Sequence, residues 1–133
     1  MKKTVSKNLL VGSSLFFVGA VGYVLIELLW RGKSHWSMGL AGGVCFFIFG
    51  KIWNKIKALP KVYVALFGGF IITFTELVFG IIFNIILKKE VWNYSNLPLN
   101  FYGQICLLFS TLWGILSLIF MPLAGKLNSI LAK

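Results

Sequence analysis

The chain carries only three acidic side chains, Glu27, Glu76 and Glu90, and one of them stands where an acid is most costly. Glu76 lies near the middle of the apolar run 62–87. A carboxylate at the bilayer midplane costs on the order of 2.5–3.5 kcal/mol even on insertion scales, so it must turn away from lipid. Counting by threes and fours along a helix groups Gly69, Thr73, Glu76 and Gly80 on one stripe, with Asn84 a turn further and somewhat rotated. This small and polar stripe predicts an interhelical or cavity-facing surface. Two roles for Glu76 are open: a protonatable or ligand-binding group in a transport path, or a protonated acid hydrogen-bonded to a neighbouring helix.

A second concentration of polar and turn-forming residues spans 92–104, with Trp92, Tyr94, Ser95, Asn96, Pro98, Asn100, Gly103 and Gln104. One reading is a plain outer loop with interfacial aromatics and a proline-led helix start. In the other, the segment folds back over the bundle, and Tyr94, Asn96, Asn100 and Gln104 hydrogen-bond a ligand. Asn100 is expected to cap the fourth helix, whose open N-terminus would favour an anionic group, and Gln104 to lie about one turn inside it. Glu27 precedes Arg31 by four residues, the favourable order for a helical ion pair. His35, the single histidine, adjoins Trp36 and Ser37 in a connection and is expected to serve the interface.

Several chemistries are excluded by what these residues lack. Gly125-Lys126 has neither the upstream glycine nor the following Ser or Thr of a phosphate-binding loop. Three separated glutamates and a lone histidine supply neither an acid pair nor a Ser, His and Asp set, so no enzyme is expected. Cys45 and Cys106 have no Cys or His at metal-ligand spacing and read as small packing residues. No cofactor is expected.

The elements that position these groups follow from composition. Of 133 residues, 59% are hydrophobic and 12% charged, and the mean hydropathy is +0.90, which is far too apolar for a water-soluble domain of this size. A hydrocarbon core about 30 Å thick needs roughly 20 apolar residues of helix. Four runs approach that length, at 9–30, 36–53, 62–87 and about 101–121. They lack the period-2 alternation of a barrel, so the fold class expected is all-α: one integral membrane domain of four transmembrane helices. A basic start before the first run resembles a signal peptide, but the run is longer than a signal core and is expected to remain as a span.

The net charge of +10 would suggest nucleic acid in a soluble protein; here it maps onto topology, and no nucleic-acid partner is expected. All but Arg31, Lys33, Lys88 and Lys89 of the 13 basic residues fall on the side of the termini and of the 54–61 connection. The positive-inside rule then places both termini in the cytoplasm. Trp36 and Trp53 bracket the second span, and Trp30 and Trp92 mark the outer interface. The connections 31–35, 54–61 and 88–100 are short, which makes neighbouring helices antiparallel. Pro60 closes the inner connection, and Pro122 is expected to end the fourth helix, leaving 123–133 as a surface tail. Gly39, Gly42, Gly43 and Gly50 provide for close helix approach. Gly42-Gly43-Val44-Cys45 can be set against Gly103-Gln104-Ile105-Cys106, each after a helix carrying Glu-Leu, as a parallel duplication of a two-helix unit.

The run Trp92-Asn-Tyr-Ser-x-x-Pro98-x-Asn100-x-x-Gly103-Gln104-Ile105, with Glu27-x-x-x-Arg31-Gly32-x-Ser34-His35-Trp36-Ser37-Met38 and the following Gly42-Gly43, resembles the family labelled putative ABC-transporter type IV, also called CmpB-like. The resemblance covers most of the chain, which departs from it at Asn93, where members often carry Asp. It implies a small multispanning protein of the bacterial cell membrane and a separate ATPase as partner. The leading expectation is a transporter membrane component, assembled as a homo-oligomer, with Glu76 in the path and 92–104 as an outer gate facing 27–38. The competing expectation is a scaffold or regulator that binds another membrane protein and transports nothing.

Overall fold

The computed structural model describes residues 2–32 and 34–132. Four helices dominate: α1 (Lys2–Arg31), α2 (Trp36–Ile56), α3 (Lys61–Gly80) and α4 (Leu107–Leu131). A π-helical segment, Ile81–Ile86, extends α3, and two short strands, β1 (Asn100–Phe101) and β2 (Ile105–Cys106), precede α4. Ser6–Leu29, Trp36–Ile56, Lys61–Ile86 and Leu107–Leu131 are each long and apolar enough to cross a membrane. The protein is a multi-pass, membrane-embedded helical protein, because continuous helix is what satisfies backbone polar groups in lipid.

The chain divides into two compact units, one of residues 1–58 and 119–133, the other of residues 59–118. In the first, α1 and α2 pack at glycine contacts. A Cβ on Gly42 would strike the Tyr23 side chain and lie 2.9 Å from the Gly19 carbonyl oxygen, and one on Gly43 would lie 2.8 Å from that of Phe16. The glycines expected to allow close approach are therefore at the contact itself. Around it are buried Val11, Leu15, Ala41, Cys45, Phe46 and Phe49. His35 supplies the start of α2: in extended backbone (φ −132°, ψ 149°) its Nδ1 accepts the Ser37 backbone N–H at 3.2 Å and contacts Ser37 Oγ at 2.8 Å. An imidazole thus takes the capping role usually given to Ser or Asp.

Two expectations about the fourth span are corrected. The apolar run begins at Phe101, but the helix begins only at Leu107. Residues 100–106 form an antiparallel hairpin instead, pairing Asn100 with Cys106 and Phe101 with Ile105. Asn100 is consequently a turn brace and not a helix cap, Gln104 lies in the hairpin turn and not inside the helix, and no helix N-terminus opens at Asn100. At the other end Pro122 lies within α4, which continues to Leu131. Proline is tolerated there because residues beyond it pack: Ala124 is fully buried, its carbonyl oxygen lies 3.2 Å from a Cβ placed on Gly50, Gly125 abuts Trp53, and Asn128 Oδ1 accepts from Lys51 Nζ at 3.3 Å. Those tertiary contacts offset the backbone hydrogen bond that proline cannot make.

Candidate functional site

The second unit contains the stripe predicted on α3, and the stripe meets α4 along its length. A Cβ on Gly69 would lie 3.1 Å from Gly114 Cα and 3.3 Å from the Ser110 carbonyl oxygen. One turn on, Thr73 Oγ1 donates to Ser110 Oγ at 2.8 Å. Next comes Glu76, which is buried. Its Oε1 accepts the Trp113 indole N–H at 2.8 Å, and its Oε2 accepts the Tyr94 hydroxyl at 2.8 Å. Gly80 faces Gln104, whose Cβ is 3.0 Å from where a Cβ on Gly80 would sit. The glycines let the helices approach closely enough for these short polar side chains to reach across.

Beyond Gly80 the wider π-helical turn carries Asn84 toward the connection 87–106 and makes it the hub of a second cluster. Asn84 Nδ2 donates to Gln104 Oε1 at 2.8 Å, and Asn84 Oδ1 accepts the Val91 backbone N–H at 2.7 Å and more weakly that of Trp92 at 3.5 Å. Gln104 Nε2 donates to the Tyr102 carbonyl at 2.8 Å, and its own carbonyl accepts the Trp92 indole N–H at 2.9 Å. Every polar atom of this amide pair that the network uses is aligned on a fixed partner, as a buried amide requires. The π turn ends with Leu87 N–H on the Ile82 carbonyl at 3.0 Å and Lys89 N–H on that of Phe83 at 2.8 Å. Such π segments recur at functional sites.

The connection itself is folded tightly. Asn93 Oδ1 accepts the Ser95 N–H at 2.8 Å, and Asn100 Oδ1 accepts the Gly103 N–H at 3.0 Å while its Nδ2 donates to the carbonyls of Leu97 (2.9 Å) and Ser95 (3.3 Å). Gly103 has φ +73°, and a Cβ there would lie 2.9 Å from Asn93 Oδ1, so glycine is required on both counts. Tyr94 spans the two clusters: its backbone N–H reaches the Gly103 carbonyl at 2.7 Å, its ring stacks on Phe109 with centroids 4.9 Å apart, and its hydroxyl reaches Glu76. Asn96 and Pro98 lie exposed.

Among the sequence candidates, Thr73, Glu76, Asn84, Trp92, Tyr94, Asn100, Gly103 and Gln104 thus fall in one continuous polar ladder, with Ser95 bound through its backbone. Trp92 is buried, with its indole N–H on the Gln104 carbonyl. Glu27, His35 and Trp36 belong to the first unit: Glu27 is buried, His35 caps α2, and Trp36 is exposed. The Arg31 side chain, and with it the Glu27–Arg31 pair, lies outside the described residues, as does that of Trp30. The residues paired by the suggested duplication have different backbones, since Gly42 is within α2 whereas Gly103 is in a left-handed turn. Sequence reasoning missed Trp113 and Ser110. A signal for Trp113 existed: a tryptophan deep in an apolar span must find an acceptor for its indole N–H, and Glu76 is the buried acid available.

The carboxylate geometry limits its chemistry. An indole N–H only donates, so Oε1 is an acceptor in this arrangement, and a proton on Oε2 leaves that bond intact. The Tyr94 hydroxyl can donate to an ionised Oε2 or rotate to accept from a protonated one. Both states of Glu76 therefore fit the same heavy-atom positions.

The chain matches no protein of curated function and no solved structure. The family model described as Putative ABC-transporter type IV matches residues 3–132, nearly the whole chain, and the protein therefore belongs to that family of ABC-transporter-related membrane proteins.

Proposed function

We propose that the protein is the membrane component of a transporter in the cell membrane, with both termini cytoplasmic, assembled as a homo-oligomer and served by a separate ATPase. The observation that carries this reading is the buried Glu76 carboxylate, held by Tyr94 from the α3–α4 connection and by Trp113 from α4. An acid in a membrane span is costly, and here it is tied to the one long connection of its unit. On this reading 92–104 is the outer gate, and the Tyr94–Glu76 hydrogen bond is its latch. On the same reading the latch strength depends on what occupies Oε2, a proton or a cationic group of a passing solute.

The alternative is a scaffold or regulator bound to another membrane protein. Its support is the Gly69–Gly114 crossing, which packs α3 on α4 and leaves Glu76 among protein groups.

The test is affinity purification of the tagged chain from its native membranes in mild detergent, followed by reconstitution. Copurification of an ATP-hydrolysing subunit, and ATP-dependent flux that falls at least tenfold in Glu76→Gln with normal insertion, is the expected result. A stable partner without ATPase activity, with no flux in the reconstituted complex, would establish the scaffold instead.

A further inference from the structure

The α3–α4 connection contains a surface that neither the ladder nor the proposed latch uses. Leu99, just before β1, Phe101 within it and Tyr102 in the hairpin turn are 74%, 51% and 76% exposed. Leu99 and Tyr102 adopt left-handed backbone, at φ +55° and +53°, where large side chains are rare. In a loop facing water, three such side chains together would be a liability.

The depth of the hairpin follows from α3. A helix rises about 1.5 Å per residue, so roughly 20 residues cross a hydrocarbon core about 30 Å thick. The span that contains α3 and the π segment runs Lys61–Ile86, so Gly80 and Asn84 lie in its last two turns, near one membrane boundary. Gly80 packs against Gln104, and Asn84, one turn higher, hydrogen-bonds the same residue. Phe101 pairs with Ile105, and Leu107 N–H reaches the Leu99 carbonyl at 3.3 Å. The hairpin is thereby held level with the membrane boundary. Ile82 and Ile85 on the π segment, and Leu107 and Leu108 on α4, are exposed apolar side chains as well.

Carbonyls on and beside the hairpin find protein donors, which lowers the cost of non-helical chain at membrane depth. The carbonyls of Leu97, Leu99, Phe101, Tyr102, Gly103 and Gln104 all accept protein donors, from Asn100, Leu107, the backbone and side chain of Gln104, Tyr94 and Trp92 respectively. Gly103 and Gln104 N–H are likewise bound, to Asn100 Oδ1 and the Phe101 carbonyl. These bonds reduce the dependence of the segment on water at that face.

We infer that the hairpin is a lipid-inserted element, with Leu99, Phe101 and Tyr102 seated among the headgroups and upper acyl chains of the adjacent leaflet. The Tyr102 hydroxyl and the ring below it suit that boundary. The partner is the phospholipid itself, and the tip anchors the connection at the membrane surface while Asn84, Gln104 and Tyr94 fix its inner side.

The test uses the full chain in vesicles of phosphatidylethanolamine and phosphatidylglycerol. Nitroxide labels at Phe101→Cys and Tyr102→Cys, in a Cys45→Ala, Cys106→Ala background, are expected to relax more with oxygen than with a water-soluble nickel chelate, whereas Asn96→Cys shows the reverse. The unsubstituted chain, in vesicles containing a phospholipid with a photoreactive group near its headgroup, is expected to give adducts within 99–102. Nickel accessibility at 101 and 102 equal to that at 96 would overturn the inference by showing a water-facing tip. Exclusion of both reagents, or adducts on α3 and α4 with none at 99–102, would overturn it by showing that protein covers the tip.

Discussion

Trp113 donates its indole N–H to Glu76 Oε1 at 2.8 Å, and this bond joins α4 to α3 at the most costly residue of the chain. Trp113→Phe keeps the ring and removes the donor. Interhelical hydrogen bonds in membranes are worth about 0.6–2 kcal/mol, so thermal unfolding in detergent is expected to show a loss of that order. Combining the change with Glu76→Leu should cost less than the two single losses added together, because either change already breaks the bond.

The helix crossing makes a separate prediction. A Cβ on Gly114 would lie 3.0 Å from the Ala65 carbonyl oxygen, and a valine there must push α3 away. Gly114→Val is expected to cost about 1–3 kcal/mol by overpacking and to weaken the Thr73–Ser110 and Glu76–Trp113 bonds. Gly22→Ala is the control, since a Cβ there meets nothing within 4 Å; it should leave the unfolding midpoint unchanged or slightly raised.

Asn84 does two jobs that substitution can separate. Asn84→Asp retains an acceptor for Val91 N–H but loses the donor to Gln104, whereas Asn84→Leu loses both. Hydrogen exchange followed by mass spectrometry should show a peptide containing Val91 and Trp92 protected in the Asp variant and fast in the Leu variant. Equal protection in both would mean that Asn84 does not hold the connection.

At the start of α2, His35→Ala removes the acceptor for Ser37 N–H. The loss of a cap costs about 1 kcal/mol, typically within 0.5–2. Replacement by Asn, a standard cap, should recover most of the loss in the same thermal measurement, while a purely interfacial role for His35 would leave Asn no better than Ala.

The helical class, the four spans and the polar face of α3 were legible in the residues because lipid allows few alternatives. An uninterrupted apolar run must be a helix, and a lone acid inside it must turn toward protein. The stripe Gly69, Thr73, Glu76 and Gly80 follows from helical geometry alone, and α4 meets it where expected. The start and end of α4 were not legible. The apolar stretch opens at Phe101, but Gly103 and Gln104 interrupt it, and the backbone there is claimed by Asn100, Gln104 and the strand pairing. Pro122 has a local tendency to end a helix, yet the packing of Ala124 and Gly125 carries the helix past it.

By itself, then, the order of residues determined where this protein resides and which face of α3 is polar, since both depend on the one-dimensional spacing of apolar and polar groups against a medium of known thickness. Only the tertiary structure decided which donors hold Glu76, that Asn84 and Gln104 form a pair, and that a hairpin precedes α4. The first two outcomes join residues 18 to 37 positions apart. Hydrogen bonds over such separations depend on how closely two helices approach, and that distance is set by glycines at a crossing that spacing along one helix does not reveal.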